Sequence, residues 1–193
     1  HRYISLSPFV EGDNVTYMLP VYNPINVRRC NNRTIAFVGY FMNMWVDEDL
    51  QYFIENSQHN FNFVVWGDGN YDNLSRFPNV VVYYNVQHEH LTEIINNSSY
   101  ILLRNASYIN YDRFTGMMSL ALSFKKPLIV DKRTKEVYNI PGIVYEKRYS
   151  ELIEALNNDI SPIVYDNLVD SIGEFNTDVI NKNKRIMCEL CKK

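Results

Sequence analysis

The sequence predicts an α/β domain of three layers: a mainly parallel sheet of about six strands between helices, with a carboxyl-terminal helical tail. Two observations support this. Short runs rich in Val, Ile, Phe and Tyr alternate with segments of helical spacing through residues 35–156. That rhythm implies right-handed crossovers and helices on both faces of a parallel sheet. The length of 193 residues suits one such domain and is marginal for two. A Rossmann-like architecture is therefore expected.

Residues 1–33 are irregular, with Pro8, Pro20 and Pro24 spacing out apolar pieces such as Val15-Thr16-Tyr17-Met18-Leu19. They predict a linker-like leading segment with at most one edge strand. The domain itself is expected over 34–160, and the helical tail, packed on the same domain, over 161–193. Ile35-Ala36-Phe37-Val38, ending at Gly39, is the first strong strand. A helix follows from about Asp47 to Asn56, because Leu50, Phe53 and Ile54 share a face and acids occupy the first turn. Phe61 to Trp66 is the second strand, stopped by Gly67-Asp68-Gly69. A short helical piece, Asp72 to Arg76, precedes the third strand, Val80 to Tyr84. His88 to Asn97 is helical with Leu91, Ile94 and Ile95 inward, and Tyr100 to Leu103 is the fourth strand.

A loop from Arg104 to Tyr111 leads into the stretch that organises the rest, Asp112 to Val130. Here Met117, Leu120, Ala121 and Phe124 fall on one helical face. Pro127 cannot continue the helix, and Leu128-Ile129-Val130 reads as a fifth strand buried on both faces. Ile143-Val144-Tyr145 is a sixth, after a polar loop. Ser150 to Leu156 begins a helix, with Leu152, Ile153 and Leu156 on one face. From Pro162 onward, Ile163, Leu168, Ile172, Phe175, Val179, Ile180 and Met187 predict long helical segments interrupted near Gly173.

Hydrophobic and charged contents of 46% and 21% are those of a globular chain rather than a disordered one. A formal charge of -3 argues against the basic face of a nucleic-acid or membrane-surface binder. No apolar run approaches the roughly 18–20 residues that span a bilayer, so a soluble, cytoplasmic protein with no transmembrane segment is expected. The chain opens with His1 and shows no signal peptide, as an excised piece of something longer would. Cys30, Cys188 and Cys191 make no disulfide framework. The lone Cys188-x-x-Cys191 lacks the four ligands of a zinc site and reads as reduced thiols on a terminal helix. The Asn-x-Ser/Thr matches at Asn14, Asn32, Asn73, Asn96, Asn97 and Asn105 follow from Asn-rich composition and do not establish secretion.

Several chemistries leave no trace: there is no GxGxxG after a strand, no GxxxxGK[ST] and no Gly-x-Ser-x-Gly elbow. Asp47-Glu48-Asp49 at a helix start is expected to cap it rather than to hold a metal. His88 and His90, two apart, cannot both ligate one ion from a regular helix. No metal site is predicted. Gly67-Asp68-Gly69 is either a tight turn or a close approach of backbone to ligand. The Asp112 to Gly116 turn is the better candidate. The N–H groups of Phe114, Thr115 and Gly116 at a helix start can hold phosphate oxygens, and Arg113 adds charge. Asp112 can accept hydrogen bonds from sugar hydroxyls, although a capped structural helix accounts for the same residues.

Order and spacing then carry a resemblance. IAFVGY over Ile35–Tyr40, VVWGDG over Val64–Gly69, NVVVYYNVQHEHLTEIINNSS over Asn79–Ser99 and the ungapped stretch Asp112–Val130 stand in a familiar succession. In these residues Thr34 to Leu156 resembles the carboxyl-terminal, donor-binding domain of GT-B glycosyltransferases, especially the retaining group that uses nucleotide-activated sugars. The upstream TYMLPVYNPINV is similar to that family's interdomain segment. The resemblance implies a UDP- or GDP-sugar as donor, no covalent cofactor and no metal. It also implies a missing amino-terminal domain that supplies the acceptor site. By position, Asp112 matches the first acid of the family's acid-x7-acid pair, which contacts the donor sugar. Phe114, Thr115 and Gly116 would give backbone donors to the diphosphate, Gly39 would admit the phosphates to the first loop, and Gly67 and Gly69 fall in the family's Gly-x-Gly.

The sequence departs from the pattern at three places. The second acid is Leu120, the loop from Gly39 to Trp45 carries no cation, and Phe-Gly has become Phe114-Thr115. Hydrogen bonds to charged groups contribute roughly 1.5–3 kcal/mol each, so these losses would weaken a donor by orders of magnitude. Arg113 and Arg104 are the cations at hand to substitute. The expectation is the donor-side half of a glycosyltransferase, inactive alone. The alternatives are a non-catalytic module of the same fold, kept for binding or assembly, and a sugar-nucleotide epimerase.

Overall fold

The computed structural model describes residues 3–6, 12–22, 27–40, 47–67, 72–103, 116–157 and 161–192. Six strands form one sheet: β3 (Thr34–Tyr40), β4 (Asn60–Trp66), β5 (Val80–Tyr84), β6 (Tyr100–Leu102), β7 (Leu128–Asp131) and β8 (Gly142–Tyr145). Their spatial order is β5-β4-β3-β6-β7-β8, and every pairing is parallel. The chain thus starts at the centre, builds outward to β5, then returns to the other side of β3 and builds out to β8.

Alternation along each strand sorts side chains into two cores. Ile35, Phe37, Phe61, Phe63, Val65, Leu102 and Ile129 face one way and meet Leu50, Phe53 and Ile54 of α1 (Glu48–Asn56) and Leu152 and Leu156 of α6 (Glu151–Asn157). Within that layer the rings of Phe37 and Phe63 stack at 5.1 Å, an arrangement aromatic quadrupoles favour. Ala36, Val64, Ile101, Leu128 and Val130 face the other way, against Leu91, Ile94 and Ile95 of α3 (His88–Asn96) and Met118, Ala121 and Leu122 of α4 (Gly116–Ser123). The three-layer α/β expectation is met.

Four details differ from expectation. The leading segment holds two short strands, β1 (Tyr3–Ser5) and β2 (Val15–Tyr17), paired parallel in a sheet of their own. Three-residue strands joined across a nine-residue gap leave no periodic signal. The polar stretch before β8 contains α5 (Lys132–Tyr138), begun by Asp131, whose carboxylate accepts from Thr134 N–H at 2.9 Å and from the Thr134 hydroxyl at 2.7 Å. Asn139 ends it in the left-handed region at φ 48°. The last helix, α7 (Pro162–Cys191), runs unbroken through Gly173. One glycine costs about 1 kcal/mol in a helix, less than the packing of Tyr165, Val169, Ile172 and Asn176 along one buried stripe supplies. On α4 the buried apolar side chains are Met118, Ala121 and Leu122, with Phe124 buried just past its end, whereas Met117 and Leu120 are half-buried. The helix is enclosed on more than one side. Its Ser119 hydroxyl donates to the Pro20 carbonyl, Tyr22 N–H donates to Ser123 Oγ, and Asn176 Nδ2 donates to the Leu122 carbonyl at 2.6 Å.

Tyr165 and Val169 of α7 belong to the first core and Ile172 to the second, so this helix crosses the amino edge of the sheet. There the Tyr165 hydroxyl donates to the carbonyl of Ser99, just ahead of β6, and its ring stands edge-on to Tyr100 at 5.6 Å. Lys126 lies at the same edge and is only 1% exposed. Its ammonium donates to the carbonyls of Arg28 and Asn96, each at 2.8 Å, and burial pushes its pKa down to about 8.

Candidate functional site

In an open sheet where the strand order reverses, a crevice opens at the carboxyl ends of the two strands flanking the reversal. Here those strands are β3 and β6. Gly39 is the penultimate residue of β3, paired with Val65 of β4. Gly116 is the first residue of α4, the helix between β6 and β7. Since α4 runs down to the start of β7 through residues 124–127, its amino end lies at the carboxyl edge. Gly116 is exposed, and a Cβ there would meet nothing within 4 Å among the described residues.

Gly67, directly after β4, has φ 100°, a conformation that side chains resist. Its N–H donates to Asn85 Oδ1 at 3.1 Å, and Asn85, itself at φ 47°, donates its N–H to the Val65 carbonyl at 2.9 Å. The ends of β4 and β5 are thus tied together by an asparagine that the sequence reading passed over. Its signal was an Asn directly after a β run, the residue that tolerates the left-handed region. Asp112, Arg113, Phe114, Thr115 and Gly69 lie outside the described residues. The sites placed at this edge are therefore Gly39, Gly67 and Gly116.

Other groups at the carboxyl edge are structural. Leu50 N–H donates to Asp47 Oδ1 at 2.9 Å, while Asp49 accepts from Tyr149 N–H at 2.6 Å and from Ser150 N–H at 3.4 Å. The acid run therefore caps its own helix and ties it to the segment entering α6, as its place at a helix start suggested. Glu151 accepts backbone N–H groups of Glu146, Lys147 and Arg148, which hold its carboxyl below the usual range. Lys132, hydrogen-bonded to Glu146 at 3.0 Å, is raised. His88 and His90 are exposed, the His90 ring standing edge-on to Tyr83 at 5.5 Å. Among the described residues no group of three or more His, Cys, Asp or Glu gathers as metal ligands. Nor, among them, is any helix long and apolar enough to cross a membrane. Cys188 and Cys191 are exposed, unbridged thiols on α7.

Comparison with known proteins follows from this geometry. No protein-family model matches the chain, and no characterised protein matches it in sequence. Solved structures do. The Anabaena protein HepE, in complex with UDP and glucose, superposes with a TM-score of 0.64 over 98% of this chain and 63% of its own, at 11% identity. An O-GlcNAc transferase mutant from Thermobaculum terrenum gives 0.59 over 86% of this chain and 37% of its own, at 12% identity. The glycosyltransferase SnogD from Streptomyces nogalater gives 0.54, over 87% and 46%, at 16% identity. The fold is a glycosyltransferase fold. At these identities the likeness is one of architecture, and the chain spans between 37% and 63% of the length of these three proteins.

Proposed function

We propose that the chain is the donor-side domain of a glycosyltransferase, carrying a sugar from a nucleotide diphosphate to an acceptor held by a separate amino-terminal domain. The observation that carries this reading is the strand order. It opens a crevice between β3 and β6, at the edge where Gly39 is the penultimate residue of its strand and Gly116 starts a helix. The likeness to HepE, a protein seen with UDP and glucose, supports a UDP-linked donor, with GDP the other candidate.

In this reading the diphosphate lies at the head of α4. By the resemblance, backbone N–H groups of Phe114, Thr115 and Gly116 would donate to its oxygens, aided by the positive end of the helix dipole. Breaking the bond from the anomeric carbon to the diphosphate oxygen leaves its electron pair, and so charge, on the leaving group. Fixed N–H donors and the Arg113 guanidinium stabilise that charge without reorganising. Asp112 orients the sugar through its hydroxyls. Gly39, Gly67 and Gly69 keep the floor low enough for backbone to approach the ligand. The step requires no metal. Isothermal titration with UDP, GDP and UDP-glucose tests this: saturable binding, weaker in an Asp112→Asn variant for the sugar-bearing ligand only, is the expected result. No binding of any nucleotide at millimolar concentration removes it.

A second reading has one observation in its favour. Leu120, at the position of the family's second acid, is half-buried against the second core rather than left free for a ribose. A non-catalytic module of the same fold would tolerate that. Turnover of a bound donor by the protein carrying its acceptor-side domain separates the two.

A further inference from the structure

At the opposite end of the strands, between α7 and the amino edge of the sheet, lies a cleft of about 190 Å³. Arg28, Arg29, Lys125, Asp170 and Gly173 line it, between two valines. Three cations face one acid, in a chain whose formal charge is -3. Arg29 is already matched: its guanidinium donates to Asp166 at 3.1 Å and to Asp170. One positive charge is thus shared between two carboxylates, and the trio keeps a net charge of -1. Arg28 and Lys125 have no ion-pair partner among the described residues.

Both unmatched cations are anchored through their backbones. Arg28 N–H donates to Asn96 Oδ1 at 3.2 Å, and its carbonyl accepts from the buried Lys126 ammonium at 2.8 Å. Lys125 closes α4: its N–H donates to the Leu122 carbonyl, and that of Lys126 to the Ala121 carbonyl, each at 2.9 Å. This is the paired pattern on which helices usually end with glycine. Lys125 sits in it at φ 53°, where a side chain is strained and glycine is not. Opposite, α7 carries a glycine in mid-helix, where most residues would serve the helix better. A Cβ at Gly173 would stand 3.8 Å from Lys125 Nζ, so the ammonium lies over bare helix backbone. A strained lysine and an open floor meet at one cleft.

We propose that this cleft binds a phosphate dianion, free or as the terminal group of a phosphate monoester, gripped by Arg28 and Lys125. Arg28 and Lys125 give a doubly charged oxyanion two charge-assisted donors, enough to outweigh the single net negative charge of the Arg29–Asp166–Asp170 trio, and room for several waters lets it enter hydrated and shed them. The site is independent of the donor crevice and does not rest on the glycosyltransferase reading.

The test is calorimetric titration of the chain with inorganic phosphate at low ionic strength, with chloride matched as control. Wild-type protein is expected to bind one equivalent. Lys125→Gly should weaken binding at least about tenfold, while Tm holds or rises because glycine fits φ 53°. Arg28→Ala should weaken it as well. Saturating UDP-glucose, which has no terminal phosphate dianion, should leave phosphate binding unchanged. Glycerol 3-phosphate and vesicles containing phosphatidic acid then identify the source. Binding of the soluble ester, or capture by the vesicles alone, with loss in both variants, supports the site and says whether a metabolite or a headgroup carries the phosphate. Equal binding by wild type and Lys125→Gly, displacement by UDP-glucose, or no saturable binding of any of the three probes overturns it.

Discussion

At the amino edge of the sheet Asn32 takes part in four hydrogen bonds. Its N–H donates to Ser99 Oγ at 2.8 Å and its amide to the Asn97 carbonyl at 2.8 Å, while its Oδ1 accepts from Ser99 Oγ and Thr34 N–H. Asn79 ties two carbonyls there, those of Ile54 and His59, each at 3.0 Å, and Lys126 ties two more. At the carboxyl edge the described residues that stand at the crevice include Gly39, Gly67 and Gly116, and a Cβ on either of the latter two would meet nothing within 4 Å among the described residues. Among the described residues the amino edge packs its polar side chains against strand-end backbone, whereas the carboxyl edge sets its caps, such as Asp47 and Glu151, beside bare glycine backbone.

The contrast makes the amino edge the place where damage is largest. Tyr165 is 2% exposed, packs on Tyr100 and closes the edge from α7. Tyr165→Ala is expected to destabilise by about 3–5 kcal/mol, the range for a large buried aromatic. Urea unfolding measures it, and a loss below about 1 kcal/mol would show that α7 does not brace this edge.

The next effect is smaller and depends on pH. His59, at the start of β4, is buried beside Ser57 and edge-on to Tyr100; burial, assisted by the Arg33 charge, lowers its pKa to about 4. It folds neutral. Between pH 6.5 and 4 the unfolded chain therefore binds the extra proton, and stability falls as pH falls. The slope approaches about 1.4 kcal/mol per pH unit, for a total of about 3 kcal/mol. Lys126 has the same sign higher up. Its ammonium costs stability until it can deprotonate, so its contribution improves from about pH 8 toward the ordinary lysine value of 10.5. Denaturation of His59→Gln alongside wild type checks the lower window, where the variant should lose less on acidification; parallel curves would place His59 outside the transition.

How much of this was legible in the sequence follows the same division. Strand runs such as Phe61 to Trp66 and the apolar face of α1 declare themselves, because burial imposes a period of two or 3.6 on neighbouring residues. The glycines of the carboxyl edge were also readable, since each punctuates a strand or helix end. The amino-edge network was not. Asn32, Ser99, Lys126 and Tyr165 pair across as many as 98 residues of chain, and nothing local in a polar residue says which distant carbonyl it will meet. The faces of α4 were misjudged for a related reason. A helix wrapped by the sheet, by residues 20–22 and by α7 is apolar nearly all round, so periodicity could not rank Met118 over Met117.

The smallest stability effect is the sharpest test of the two-edge comparison, because it sets one glycine against another. Gly142 begins β8 at the amino edge, and a Cβ there would fall 2.6 Å from the Leu128 carbonyl oxygen, a backbone atom of β7 that cannot swing aside. Gly142→Ala is therefore expected to cost about 1–3 kcal/mol by overpacking. Gly116→Ala, with open space around it and an ordinary φ, should leave stability unchanged or raise it by up to about 1 kcal/mol. If the head of α4 receives a diphosphate, that same harmless methyl stands where the ligand approaches, and nucleotide affinity should drop at least about tenfold without a change in Tm. A Gly116→Ala protein that is as stable as wild type and binds UDP equally well would mean the openness at this edge serves no phosphate, whereas a loss of both together would mean the glycine was structural after all.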